Sequence, residues 1–119
     1  MPDDAFSKAL KEMDEISITV KGRRSGRKIT LPVWFVLEGH TLWLLPVGGS
    51  RTQWFRNLLA DPTITVRAGR QRHTLTARPT RGPKTVGAVV RKFRARYTPG
   101  EIRRYYTVFD AAVKIPLAA

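Results

Sequence analysis

Gly22-Arg23-Arg24-Ser25-Gly26, Leu31-Pro32-Val33-Trp34-Phe35-Val36, Gly48-Gly49-Ser50 and Trp54-Phe55-Arg56-Asn57-Leu58 follow one another within residues 22–62. A basic turn bounded by glycines leads into an apolar run, and paired glycines lead into a helix start. Glycines let backbone N–H groups approach an anion, and guanidinium forks grip phosphate or carboxylate in pairs. The first N–H groups and the dipole of a helix favour an anion or an electron-rich ring edge. Two such cradles around an apolar wall suit a flat aromatic ligand with an anionic tail.

Alternation outward from this stretch predicts the elements. Ile29 to Leu37 reads as a strand with Leu31, Val33, Phe35 and Leu37 on one face and Pro32, Trp34 and Val36 on the other. Both faces are apolar, which implies cover on two sides. Pro32 cannot donate to a ladder, so it marks an edge or a bulge. Glu38-Gly39-His40 is a hairpin turn, and residues 41–47 form the next strand. Ser50-Arg51-Thr52-Gln53 has the pattern of a capping box, with Ser50 as N-cap and a helix running to about Ala60. Before it lie a helix over residues 4–13 and a strand over 16–21. After it come a hairpin of strands 63–68 and 72–78, and a helix opened by Pro83 with Val86, Val89, Val90, Phe93 and Tyr97 on one face. A second capping box, Thr98-Pro99-Gly100-Glu101, opens a short helix, and residues 108–117 supply a last strand. Six strands with mostly hairpin connections predict an α+β, mainly β fold in a single domain over residues 1–119. It is a six-stranded antiparallel split β-barrel with an N-terminal helix, one helix between strands 3 and 4, and helices before the last strand.

Composition narrows the chemistry. No cysteine is present, so thiolate catalysis and cysteine metal sites are excluded. The two histidines, His40 and His73, have no second ligand at metal spacing, so no metal site is assigned. Acids are sparse, and no serine sits in a nucleophile elbow. An enzyme of this composition needs a borrowed cofactor to carry the reactive atom. The net charge is +13, and residues 67–104 hold 12 Lys or Arg against one acid, Glu101. Such a surface attracts polyanions. A non-catalytic nucleic-acid module, with Tyr97, Tyr105 and Tyr106 as stacking platforms, is therefore the competing reading, although charge alone gives only non-specific binding. No apolar run reaches the roughly 20 residues of a membrane helix, and the acidic start lacks the pattern of a signal peptide, so a cytoplasmic location is expected.

Several side chains keep two roles at this point. Trp54 either packs the core or stacks on a ligand. Asn57 bonds either the neighbouring loop or a ligand. Trp34 and Trp43 either wall a pocket or fill the barrel. Tyr105 and Tyr106 either cover a pocket and donate a proton or lie at the surface.

The order and spacing of the four motifs, with Pro62 after them, resemble the deazaflavin-dependent nitroreductase family, split-barrel relatives of the pyridoxamine-phosphate oxidase-like flavoproteins. The resemblance runs over residues 18–68 and more loosely to 117. It implies coenzyme F420 as cofactor and hydride transfer to a small-molecule electron acceptor: a quinone, a nitro compound or an activated alkene. It also implies that Arg23, Arg24, Ser25 and Gly26 hold the coenzyme's tail. Pro46, Val47, Gly48, Gly49 and Ser50 would lie along the ring system, with Trp54 and Asn57 in support. Trp34 would face the substrate, and Tyr105 or Tyr106 would cap the substrate pocket. Many relatives carry Ser-Lys where this chain has Pro46-Val47, so a hydroxyl and a cation are missing near the ring. Related split barrels bind FMN, haem or an apolar ligand, which supplies the alternative cofactors, and they often pair, so a homodimer is expected.

Overall fold

A computed structural model describes residues 4–117. The elements in order are α1 (Asp4–Lys11), β1 (Glu15–Lys21), β2 (Lys28–Glu38), β3 (Thr41–Leu44), a 3-10 turn (Gly49–Arg51), α2 (Gln53–Ala60), β4 (Thr63–Ala68), β5 (Gln71–Thr76), β6 (Arg78–Thr80), α3 (Pro83–Arg96), α4 (Pro99–Tyr105) and β7 (Ala112–Pro116). All strand pairs are antiparallel, in the order β5-β4-β1-β2-β3-β7-β6.

Two strands change partners midway, and these changes split the barrel. β2 pairs with β1 from Lys28 to Trp34, then with β3 from Phe35 to Glu38. The expected strand at 72–78 is divided: β5 pairs with β4, β6 pairs with β7, and only Ala77 separates them. Ala77 is buried and donates its N–H to Pro62 O at 2.8 Å, so the run bends inward there and joins the two sub-sheets. Pro32 lies in the half of β2 that has β1 on one side and no strand on the other, which is where a strand tolerates a residue without an N–H.

The two faces of β2 feed two cores. Phe35, with Leu31, Val33 and Leu37 against it, belongs to the barrel interior, which β1, β4 and β7 fill with Ile18, Ile64, Val66 and Ile115. α1 plugs it with Phe6 and Leu10, and α2 adds Phe55 and Leu58. On the other face, Trp34 and Val36 pack with Val86, Val89 and Phe93 of α3 and Ile102 of α4. The capping box at Thr98 is present: its hydroxyl accepts from Glu101 N and Glu101 Oε1 accepts from Thr98 N, both at 3.1 Å. Among the described residues no helix is long and apolar enough to cross a membrane.

The split leaves backbone groups without a ladder. β1 begins at Glu15, opposite Trp34, so the next residue of β2, Phe35, has no strand partner on that side. The Tyr97 hydroxyl fills the gap: it accepts from Phe35 N at 3.2 Å and its proton is shared between Phe35 O (3.0 Å) and Asp14 O (2.8 Å). Burial pushes this phenol up from its ordinary value.

Two local expectations are corrected after β3. That strand ends at Leu44 rather than at 47, because Leu45 turns into the α3–α4 cluster and Val47 is exposed. Ser50 is not the N-cap of α2. Residues 49–51 form a 3-10 turn, the helix starts at Gln53 after Thr52, and Ser50 is drawn to Asp110 instead. Ser50 N and Oγ each donate to the Asp110 carboxylate at 2.7 Å. Gly49 has φ +62°, and a Cβ built there would overlap Asp110 Oδ1 and Val108.

Three substitutions test this frame. Tyr97→Phe removes the hydroxyl that partners Phe35 at the split and is expected to cost about 1–3 kcal/mol in urea unfolding; an unchanged midpoint would show that Phe35 finds its partners elsewhere. Gly49→Ala and Gly26→Ala both place a side chain at positive φ, but Gly26 (φ +72°) has open space around it. Gly26→Ala is expected to lose about 1–2 kcal/mol and Gly49→Ala clearly more, read as paired thermal melts.

Candidate functional site

Trp34, Val47, Trp54, Tyr105 and Tyr106 line one cavity along β2 and Arg23, Arg24, Ser25 and Asn57 line another, whereas Gly26, Pro46, Gly48, Gly49 and Ser50 line neither. The larger, about 470 Å³, opens where the sub-sheets part. Leu31, Pro32 and Val33 of β2 form one side of it, and Leu45, Val47 and Trp54 another. Trp34, Tyr105 and Tyr106 close it with aromatic rings. Glu15 is the single acid in its lining.

The aromatic wall is held by ring contacts. Trp34 stacks on Tyr97 with centroids 4.4 Å apart at 11°, and Tyr105 meets Trp34 edge-on at 5.3 Å and 76°. Trp34 is therefore a pocket wall, whereas Trp43 packs beside the α3 cluster with Lys114 Nζ 5.9 Å from its ring centroid. Tyr106 is buried apart from this opening, and Tyr105 is exposed. The Tyr106 hydroxyl makes no hydrogen bond among the described residues, and burial pushes the phenol up, so it holds its proton through the neutral range.

The smaller cavity, about 230 Å³, is the expected tail cradle. Gly22, Arg23, Arg24 and Ser25 line it, with Gln53 and Asn57 of α2 opposite and Ile29 at its floor. Gly22 N donates to Arg27 O at 2.8 Å, Gly26 N to Gly22 O at 2.9 Å, and Arg27 N to Ser25 Oγ at 3.1 Å. These bonds close a tight loop and leave the N–H groups of Arg24 and Ser25 with no protein acceptor among the described residues. Arg23 faces inward. Its Nη1 donates to Asn57 Oδ1 at 2.8 Å, its Nη2 to Gln53 Oε1 at 3.0 Å, and its backbone N also reaches Asn57 Oδ1 at 3.2 Å. Desolvation first, then Arg56 and Arg24, pulls its pKa down. Asn57 is the one buried polar residue among those described, and it serves the loop. Arg24 is exposed and free to meet an anion.

The second predicted cradle is committed to the protein. Gly48 N donates to Thr52 Oγ1 (2.8 Å), Gly49 N to Pro46 O (3.1 Å) and Ser50 N to Asp110. Pro46 is buried, and of residues 46–50 only Val47 lines the larger cavity. Val47 O in turn accepts from Thr107 N at 2.9 Å. The segment is thus a wall pinned to residues 107–110, and Asp110 supplies the negative charge that its N–H groups attract.

Glu15, Leu45 and Asp110 were not expected at or beside the site. Leu45 looked like strand, and Asp110 is 60 residues from the serine it holds. Tyr97 and Tyr106 are buried, so with Tyr105 they form no open stacking array for nucleic acid. Among the described residues no group of three histidines or acids is placed to hold a metal ion.

This arrangement can seat a flat apolar ring between Leu31, Val33, Trp34 and Trp54, with its anionic tail running along β2 to the basic loop. Ile29 at one cavity and Leu31 at the other are two residues apart on one strand, a rise of about 7 Å. The residues present therefore fit a deazaflavin with a phosphorylated tail.

Solved structures share the fold. An F420-H2 dependent reductase, FDR-A, is 21% identical, with a TM-score of 0.66 over 86% of this chain and 93% of that one. HutZ, the heme storage protein of Vibrio cholerae, is 13% identical, with a TM-score of 0.72 over 98% and 90%. The conserved hypothetical protein Rv2991 of Mycobacterium tuberculosis is 15% identical, with a TM-score of 0.71 over 100% and 81%. At these identities the likeness carries the fold alone. No curated protein matches the chain. Residues 3–112 match the family described as F420H(2)-dependent quinone reductase, and the chain belongs to that family.

Proposed function

We propose that the protein binds coenzyme F420 and reduces a small, flat electron acceptor of the quinone type. The observation that carries this is the continuity of an aromatic cavity with a basic loop along one strand, in a member of this family. In its reduced form the coenzyme is a hydride donor.

The chain's part is to bind, orient and protonate. Arg24 and the free N–H groups of Arg24 and Ser25 are the tail ligands. Arg23 acts one step back, because its guanidinium is spent on Asn57 and Gln53. Trp54 and Leu31 take the ring face, and Trp34 with Tyr105 covers the acceptor. Val47 keeps this wall apolar where many relatives carry a lysine, so the lining offers no cation to draw in a charged acceptor, and a neutral one fits best. Two-electron reduction of a quinone also consumes a proton. We assign the Tyr106 hydroxyl, which makes no hydrogen bond among the described residues, to hold one at the acceptor oxygen.

Arg24→Ala is expected to weaken F420 about tenfold, a loss of about 1.4 kcal/mol, with no fall in melting temperature. Titration by coenzyme fluorescence reads this, and a preference for FMN or an affinity indifferent to Arg24 would overturn the assignment. Tyr106→Phe is expected to leave coenzyme binding intact and slow quinone reduction about 100-fold. The sign of the pH effect follows from the raised phenol: activity should show no loss assignable to Tyr106 even as pH passes about 10, where an ordinary phenol ionises. A Tyr106→Phe enzyme at full rate would remove it from the chemistry.

A further inference from the structure

A third cavity, about 520 Å³, shares no lining residue with the two described above. It sits between one face of α3, from Pro83 to Arg94, and the segment that follows α4. Arg81, Arg91 and Arg94 line it, with Phe109 on one side and Asp110 at its base. Among the described residues neither Arg91 nor Arg94 has a carboxylate partner. Arg94 lies over the Phe109 ring, 5.6 Å from the centroid, and 37% of Phe109 is exposed. Arg81 stands 3.6 Å from Asp110 Oδ2, whose carboxylate is already held by Ser50. Three arginines thus line a space that holds one compensated carboxylate, beside a Phe109 ring whose exposed part Arg94 overlies.

Gly87 is the second sign of a built space. It sits inside α3, where glycine is a poor helix former. No close contact requires it, since a Cβ there would meet only Arg91 Nη1, at 3.8 Å. Its missing side chain leaves the cavity open. Its volume lies in the range of small-ligand pockets, and it opens to solvent.

We propose that this cavity is a second ligand site, for a phosphorylated aromatic molecule of mononucleotide size, its ring on Phe109 and its phosphate on Arg81, Arg91 and Arg94. Guanidinium forks match phosphate oxygens in pairs, and Arg94, on turning from Phe109 to the phosphate, uncovers the exposed part of that ring for an aromatic ligand. The site is linked to the aromatic cavity through the segment after α4. Tyr106 and Phe109 stack with centroids 6.4 Å apart, and Asp110 clamps the loop that carries Val47. A phosphate that draws Arg81 away from Asp110 therefore acts on a wall of both pockets. None of the residues assigned to F420 is used, so failure here leaves that reading untouched.

Adenosine 5′-monophosphate is the probe, followed by calorimetry and by amide shifts at Gly87 and Phe109. The nucleotide is expected to bind one to one, with adenosine and inorganic phosphate each weaker by about tenfold or more. Gly87→Leu fills the space with a better helix former, and should keep the fold while weakening the nucleotide about tenfold. Arg94→Ala, at an exposed position, should weaken it to a similar degree, whereas Arg67→Ala on the distant β4–β5 hairpin should not. No binding at millimolar nucleotide, or binding indifferent to Gly87→Leu and Arg94→Ala, would overturn the proposal. So would association only with single-stranded DNA that salt abolishes and Gly87→Leu leaves unchanged, since that is the general charge of the surface.

Discussion

Everything in this fold depends on opening an antiparallel sheet without leaving its backbone bare. At Phe35 the chain abandons β1 for β3, and a strand edge inside a protein must find partners for its N–H and C=O groups. The Tyr97 hydroxyl supplies them, standing in for a strand between Asp14 and Phe35. The same ring stacks on Trp34, so the group that closes the gap in the ladder also props the first wall of the cavity. Because Tyr97 ends α3, the helical layer is fixed to the split rather than merely laid over the sheet.

The opening has a second support in α2. Its buried face enters the barrel interior through Phe55 and Leu58, which sets the helix firmly. From that base Asn57 and Gln53 reach out to Arg23 and hold the basic loop, while Trp54 turns toward the aromatic cavity. One helix thereby fixes the distance between the two parts of the binding site. Arginine suits the joint, because its planar fork answers two carbonyl oxygens at once.

Residues 105–110 tie the remaining walls together. Tyr105 and Tyr106 face the aromatic cavity, Thr107 and Asp110 pin the loop from Pro46 to Ser50, and Phe109 turns to the far side. A short segment between α4 and β7 thus carries groups for two cavities, and a shift in it would be felt in both.

The period-2 runs around Ile18, Phe35 and Val66 and the period-3.6 face of α3 were legible in the chain, because side-chain alternation is a local property. So were the capping box at Thr98, the turn at Gly26 and the basic loop with its family resemblance. The split of the fifth strand at Ala77 was not, since partner exchange depends on which strands lie on either side. Nor was the fate of Ser50. Its spacing to Gln53 satisfied a local capping rule, and a carboxylate 60 residues away outcompeted it. Asn57 could equally have faced a ligand until the fold brought Arg23 against it. The sequence by itself determined most of the helices and strands, the absence of thiol chemistry and the positive charge of the tail loop. Only tertiary structure decided which donors stayed free, because a backbone N–H serves a ligand only when no protein acceptor has reached it first.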